Sequence, residues 1–282
     1  MALTISLGLG KLDLYLSPAR HVFNRIEKSF LIYAGGIALL ACTSSLYVSK
    51  VILKTFPNSG DEFVYLFQAQ TFLQGRIWNQ PPPIPHIFSA LHIIETTDIW
   101  VGKWPPGWPG IIALFSSIGI KAWMVNPALN GITVLLIARL GREIRDVATG
   151  ILAATLYAAT AFSIFNGASF FSHVFTAACA VTFAILGIQF LKLPTLGRAI
   201  ATGAMLGLVG LTRTYSAVLF AIPFSTAVIL RWNSRLIVQA MIGLALGGIP
   251  FLIGLLLYNH AITGNACAPD ALRRHRDVGL EW

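Results

Sequence analysis

The chain has 282 residues, 56% hydrophobic and 11% charged, with a mean hydropathy of +0.72. Soluble domains carry about 25% charged residues; a soluble enzyme, a disordered chain and a disulfide-framed secreted domain are therefore excluded, and an integral membrane protein remains. The net charge of +9 and pI near 9.8 do not indicate nucleic acid, because the basic residues fall between apolar runs, where they read as topology signals.

A polar stretch up to Lys28 precedes the first apolar run. That run is about 23 residues, longer than a signal-peptide core, and no small-residue cleavage site stands out, so it is expected to remain as an anchor. Every backbone amide in hydrocarbon must be bonded internally, so long apolar runs read as spanning helices. Seven are expected, over 29–51, 124–138, 147–165, 171–191, 199–212, 214–230 and 236–258. The second and fifth are short and are expected to extend by a turn into their polar flanks. Cys42, Cys179 and Cys267 have no spacing that fits a zinc site or a disulfide framework.

Between the first two spans lies a loop over 54–123. It carries five of the seven tryptophans, Trp78, Trp100, Trp104, Trp108 and Trp123, the residues of an interfacial belt. The loop is therefore expected to fold onto the membrane face as short juxtamembrane helices. One is predicted over 63–75, where Phe63, Leu66, Phe67, Gln70 and Leu73 follow helical spacing and Gly75 ends the helix. Another, over 109–120, is too short to span and suits a re-entrant or interfacial helix, with Pro109 in its first position.

Lysine and arginine set the direction. Lys11, Arg20, Arg25, Lys28, Arg139, Arg142, Arg145, Lys192, Arg198, Arg231 and Arg235 fall on one side of a seven-span arrangement, 11 basic residues against six on the other. By the positive-inside rule that side, with the N-terminus, is cytoplasmic. The expected fold is an all-α polytopic bundle over 1–264 with a long outer first loop, followed by an irregular tail over 265–282 that carries Arg273, Arg274 and Arg276. Gly203/Gly207 and Gly243/Gly247 read as close helix packing.

Asp61 and Glu62 form the only adjacent acidic pair and follow the turn signal Pro57-Asn58-Ser59-Gly60. They read either as a general base with a supporting carboxylate or as helix capping, with Asp61 as N-cap and Glu62 in the first turn. Lys103-Trp104-Pro105-Pro106-Gly107-Trp108-Pro109 reads as a rigid corner anchored by tryptophan, with Lys103 facing an anionic group or snorkelling. His86, His92, Glu95 and Asp98 supply oxygen and nitrogen ligands, but their spacing fits no metal motif, and a solvated loop surface is the plainer reading. Arg213 lies between two apolar runs with no acidic neighbour in sequence. It reads either as a phosphate ligand at an outer helix end or as a snorkelling side chain. His173, with Ser169 and Ser172, sits at another outer helix end, as an interfacial histidine or a ligand contact.

Taken in order, these pieces resemble a family. An acidic pair follows the first span in Gly60-Asp61-Glu62-Phe63-Val64-Tyr65, and Ala69, Leu73 and Gly75 continue its helix. The Trp104-to-Pro109 corner leads a short apolar helix. Asn126-Pro127-Ala128-Leu129 opens a helix ending in Arg139, Arg142 and Arg145. Gly207-Leu208-Val209-Gly210-Leu211-Thr212-Arg213 follows later. Across roughly 29–264 the chain resembles the GT-C superfamily of membrane glycosyltransferases, in the branch of the protein O-mannosyltransferases and the lipid A aminoarabinose transferase.

The resemblance implies transfer of a sugar from a polyprenyl-phosphate donor to a lipid, glycan or protein acceptor on the outer face of a bacterial inner membrane or an endoplasmic reticulum membrane. It implies Asp61 as the base with Glu62 in support, inversion at the anomeric carbon, and a cation for the leaving phosphate. Arg213 and Lys103 are the candidates for that cation, and His173 is a further substrate contact. No cofactor is expected, and nothing in the sequence demands a divalent metal. Members of the family continue with more spans, so the resemblance also implies a C-terminally truncated chain. Two other readings stand beside it: a non-enzymatic transporter or flippase-like membrane protein, and an inactive truncated relative.

Overall fold

The computed structural model describes residues 29–84, 92–96, 98–231 and 233–267. The described residues form helices and one two-stranded antiparallel hairpin. The helices are α1 (Phe30–Tyr47, continued by a π turn, Val48–Ile52), α2 (Gly60–Leu73), α3 (Gly107–Ser117), α4 (Ala122–Ile144) and α5 (Val147–Ala158). They continue with α6 (Ala161–Ala168), α7 (His173–Lys192), α8 (Leu196–Thr212), α9 (Thr214–Leu230) and α10 (Ser234–Thr263). Strands β1 (Ile93–Glu95) and β2 (Trp100–Gly102) lie between α2 and α3. Lys11, Arg20, Arg25, Lys28, His86 and the arginines of the tail lie outside the described residues.

Four stretches are long and apolar enough to cross a membrane: Phe30–Ile52, Ala122–Ile144, His173–Lys192 and Ser234–Thr263. The α5–α6 pair makes a fifth if its two halves count as one span. By length and composition this is a multi-pass membrane protein. The single straight span expected over 147–165 is instead bent by 64°. Thr160 is the reason. Its amide and hydroxyl both donate to the Tyr157 carbonyl, at 3.1 and 2.8 Å, and its hydroxyl accepts from the Ser163 amide at 3.1 Å, closing one helix and capping the next. Tyr157 and Ser163 then donate from either side of the bend to the buried Asn130 Oδ1, at 3.0 and 3.1 Å. Helices α8 and α9 have 17 residues each. At about 1.5 Å per residue each falls short of a hydrocarbon core about 30 Å thick.

The small-residue pairs pack as read. A Cβ on Gly203 would lie 2.7 Å from the Gly243 carbonyl oxygen, and Gly243 and Gly247 meet α8 backbone in the same way, so α8 and α10 cross in close contact. A second seam of small residues, Ala34, Ala38 and Ala41 of α1 with Ala138 and Ala154, joins α1, α4 and α5.

Contacts sort the helix ends into two groups. At one end Arg142 lies over the Phe30 ring at 5.2 Å, and Lys192 Nζ reaches the Glu143 carboxylate at 3.0 Å. There too Arg198 bonds the Leu193 carbonyl at 2.9 Å, and Arg231 bonds the Leu191 carbonyl. The opposite end gathers Glu62, Trp104, Trp108, Phe170, Ser172, Arg213 and Tyr258.

Candidate functional site

Helix α2 starts earlier than its apolar spacing predicts. Ser59, not Asp61, is its N-cap, and its hydroxyl accepts from the Glu62 amide at 3.3 Å. Asp61 and Glu62 occupy the first turn, where carboxylates complement the helix dipole. The far end closes as anticipated at Gly75, which adopts φ 71°. There the Gly75 amide bonds the Phe72 carbonyl at 2.9 Å and the Arg76 amide bonds the Thr71 carbonyl at 3.1 Å, the pairing of a Schellman motif.

Adjacent residues on a helix point about 100° apart, and that angle separates the acidic pair. Glu62 is 1% exposed. Its Oε2 accepts from the Phe170 amide at 2.9 Å, and its Oε1 from the Ser59 hydroxyl at 3.2 Å and the Asn58 amide at 3.3 Å. Asp61 is about a third exposed, at 34% of its side chain. Glu62 is thus a bracket between α2 and the α6–α7 link, and Asp61 is the carboxylate on the open side.

Three of the sequence signals meet on that link, residues 169–172. Glu62 takes the Phe170 amide. The Trp108 indole donates to the Phe170 carbonyl at 2.7 Å, and Asn126 Nδ2 donates to the Ser169 and Phe171 carbonyls at 2.7 and 2.8 Å. Trp108, Asn126 and Glu62 are each 1% exposed. Between them they satisfy one amide and three carbonyls that no regular element bonds. Pro109 is the third residue of α3 rather than the first, still within the turn that tolerates proline.

Held this way, the link presents Ser172 and His173 to Arg213, which joins α8 to α9 as the cap of both. Arg213 Nε donates to Ser172 Oγ at 3.0 Å, and its terminal nitrogen lies 3.2 Å from His173 Nε2. A guanidinium only donates, so Nε2 accepts and the ring proton sits on Nδ1. Among the described residues, that Nδ1 is buried without a hydrogen-bond partner, as is the Trp104 indole nitrogen. Ser172 also bonds the Tyr65 hydroxyl at 3.3 Å. Burial pushes the Tyr65 phenol up, against the opposing pull of its Ser172 hydrogen bond and the Arg213 charge. The Arg213 and Asp61 charges both reach Tyr65 and His173, so all four residues share one electrostatic neighbourhood.

Gly107 sets the height of this corner. A Cβ there would lie 2.6 Å from Thr212 Oγ1 and 2.7 Å from the Leu211 carbonyl oxygen. The N-terminus of α3 therefore rests directly on the turn that carries Arg213.

On the opposite flank, His92 Nε2 lies 3.1 Å from Asp61 Oδ1. The His92 ring meets Trp104 at 5.3 Å between centroids, Trp104 meets Tyr65 at 6.1 Å, and Lys103 Nζ stands 4.6 Å from the Trp104 centroid. Lys103 thus enters the cluster through Trp104. Glu95 pairs with Trp100 in the hairpin, and Asp98 is exposed. Among the described residues no group of three or more His, Cys, Asp or Glu side chains is arranged to hold a metal ion.

The structure brings Asp61, Arg213 and His173 into one neighbourhood, with Lys103 at its rim, and turns Glu62 away from it. Sequence reasoning missed Tyr65 and the pairing of His92 with Asp61, and named Ser172 only as a neighbour of His173, not as its link to Arg213 and Tyr65. Tyr65 follows Asp61 by one helical turn, which is a usable signal; nothing local marks the other two. No family model matches the chain, and no curated protein is similar to it.

Proposed function

We propose that the chain is a membrane glycosyltransferase that moves a sugar from a polyprenyl-phosphate donor to a hydroxyl on a lipid, glycan or protein acceptor, at the outer face. The observation that carries this reading is that an accessible carboxylate, Asp61, and an arginine from a distant helix end, Arg213, both act on Tyr65 and His173 in one cluster. An acid–base group and an anion-binding group in one cluster suit a reaction in which a proton leaves the acceptor and negative charge develops on a phosphate.

In the reaction Asp61 takes the acceptor proton as the acceptor oxygen attacks the anomeric carbon. The bond from that carbon to the donor phosphate breaks, and the lipid phosphate leaves with the electron pair. A single displacement inverts the carbon. Arg213 supports the leaving charge, with Lys103 at the rim. The unpartnered N–H groups of His173 and Trp104 are suited to oxygens of the sugar or phosphate. Glu62 acts at a distance, by fixing the link that carries His173.

The same reading takes seven passes, with α8 and α9 crossing as a short pair joined at Arg213, and a cytoplasmic N-terminus. Its support is that Arg142, Lys192, Arg198 and Arg231 share one end of the bundle and the candidate site lies at the other. A donor with a polyprenyl tail keeps its reactive carbon at the membrane surface, which is where such an end lies.

The bent α5–α6 pair is the one feature that favours a transporter, since transporters use broken helices at their binding sites. Here the polar groups at the bend are occupied by Asn130. The deciding experiment is transfer from radiolabelled polyprenyl-phosphate sugars by the protein in proteoliposomes. Asp61→Asn is expected to abolish transfer while leaving expression and membrane insertion intact. Transfer at the wild-type rate by that variant removes the base assignment.

A further inference from the structure

We propose that His92 is the positioning residue of Asp61, turning one carboxylate oxygen inward so that the other faces the acceptor; this rests on the reading of Asp61 as the base. Asp61 Oδ1 is buried, has no hydrogen-bond partner among the described residues, and lies at ion-pair distance, 3.1 Å, from His92 Nε2. The accessible part of the side chain is therefore on the Oδ2 side. A carboxylate without such a neighbour rotates about its last torsion, a broad and soft one, and spends part of its time misaligned.

The hairpin is built to hold that imidazole in place. His92 adopts φ 70°, a left-handed conformation in which histidine is over-represented but which few non-glycine residues take. The Lys103 amide donates to its carbonyl at 3.1 Å, and the next pair in register is Ile93 with Gly102. Gly102 seats the hairpin on α2. A Cβ at that position would lie 2.6 Å from both Gln68 Cγ and Val64 Cγ1. Val64 is one turn along α2 from Asp61, so the glycine contact fixes the distance between the hairpin and the carboxylate. The Trp104 ring packs against the imidazole at 5.3 Å between centroids. A left-handed residue, a seated glycine and an aromatic ring converge on one histidine. Backbone strain of this kind is retained where the surroundings over-determine it, as at functional sites.

Misplacing a reacting group by about 1 Å costs up to about 100-fold in rate, and His92→Ala is expected to lower kcat on that scale with KM for the donor unchanged. His92→Gln, whose amide N–H reaches the same oxygen, is expected to restore most of the loss. A wild-type kcat in His92→Ala, a rise in KM alone, or no recovery in His92→Gln overturns the proposal.

A second arm does not depend on transfer. The protein in nanodiscs is treated with diethylpyrocarbonate and carbethoxylation of His92 is followed by mass spectrometry. Asp61→Asn is expected to speed modification of His92 several-fold, and an unchanged rate at matched thermal stability overturns the pairing. If the wild-type protein transfers sugar from no polyprenyl-phosphate donor, the glycosyltransferase reading falls, and the labelling arm decides by itself whether the two side chains are paired.

Discussion

Replacing Glu62 separates the two carboxylates of the acidic pair by what each loses. In Glu62→Ala the Phe170 amide keeps its burial and loses its acceptor at 2.9 Å, while Asn58 and Ser59 lose weaker contacts at 3.3 and 3.2 Å. An orphaned buried amide costs about 1–3 kcal/mol, and a hydrogen bond to a charged group is worth about 1.5–3 kcal/mol. These overlap, since both describe the same contact, so the loss is about 3 kcal/mol. Glu62→Gln keeps an acceptor oxygen for the Phe170 amide, loses the charge assistance and turns its NH2 toward the weaker Asn58 and Ser59 contacts, for about 1 kcal/mol. In thermal unfolding of the purified protein, at about 2–4 °C per kcal/mol for a chain of this size, Glu62→Ala is expected to melt about 6–12 °C low and Glu62→Gln about 2–4 °C low. Glu62→Gln is also expected to keep transferring sugar where Asp61→Asn does not. If Glu62→Ala melts with the wild type, the carboxylate does not bracket the link. If Glu62→Gln loses transfer at wild-type stability, the proton chemistry belongs to Glu62 and the roles assigned here are reversed.

Gly107→Ala forces a methyl to within 2.6 Å of Thr212 Oγ1; a loss of about 1–3 kcal/mol is expected from overpacking, with weaker donor binding because the Arg213 turn moves, checked by thermal unfolding and by KM. Gly203→Val pushes against the Gly243 carbonyl, 2.7 Å from the added Cβ. It is expected to lower stability by a similar about 1–3 kcal/mol and to leave KM unchanged, since the α8–α10 seam lies away from the site. Single cysteines at Asn79 and Arg145, in a background lacking Cys42, Cys179 and Cys267, are expected to report opposite sides to an impermeant maleimide in intact cells. Labelling of both from one side refutes the seven-pass arrangement.

Helices that bury an apolar face were legible because period and length suffice to mark them. The α2 terminus at Gly75 and the α8–α10 seam were legible for a related reason: a glycine at φ 71° and glycines beneath a Cβ-sized gap each have one plain explanation. The bend at Thr160 was not. Its signal is a hydroxyl with a serine three residues on, and that pattern is common in unbroken helices; here Asn130, on a different helix, selects the bent form. The N-cap at Ser59 was misassigned to Asp61 for a similar reason, since both residue types cap and only the direction of the Glu62 amide separates them. In the candidate site, Asp61, Arg213 and His173 stood out as polar groups at apolar boundaries. Tyr65 did not, and Ser172 stood out only as a neighbour of His173, because a tyrosine in an apolar helix and a serine before one are ordinary, and only the folded chain brings them within 3.3 Å.

The acidic pair, the Trp-Pro-Pro-Gly-Trp-Pro corner and the Asn126-Pro127 helix start look in sequence like three separate sites. In space each sends one side chain to residues 169–172, and none of those three side chains faces solvent. Their joint effect is on Ser172 and His173, which stand at the end of the link and meet Arg213. A loop fixed by a single hydrogen bond opens at a cost of about 1 kcal/mol, so the site would be assembled only part of the time. With four of its backbone groups bonded from three elements, the link does not open without breaking several bonds together. Preorganised dipoles stabilise developing charge because they need not turn when the charge appears. That physics gives a reason for such densely hydrogen-bonded packing at one end of a bundle whose other core clusters are apolar. It also makes Trp108 and Asn126 residues whose loss would be felt at Arg213 without either of them touching it.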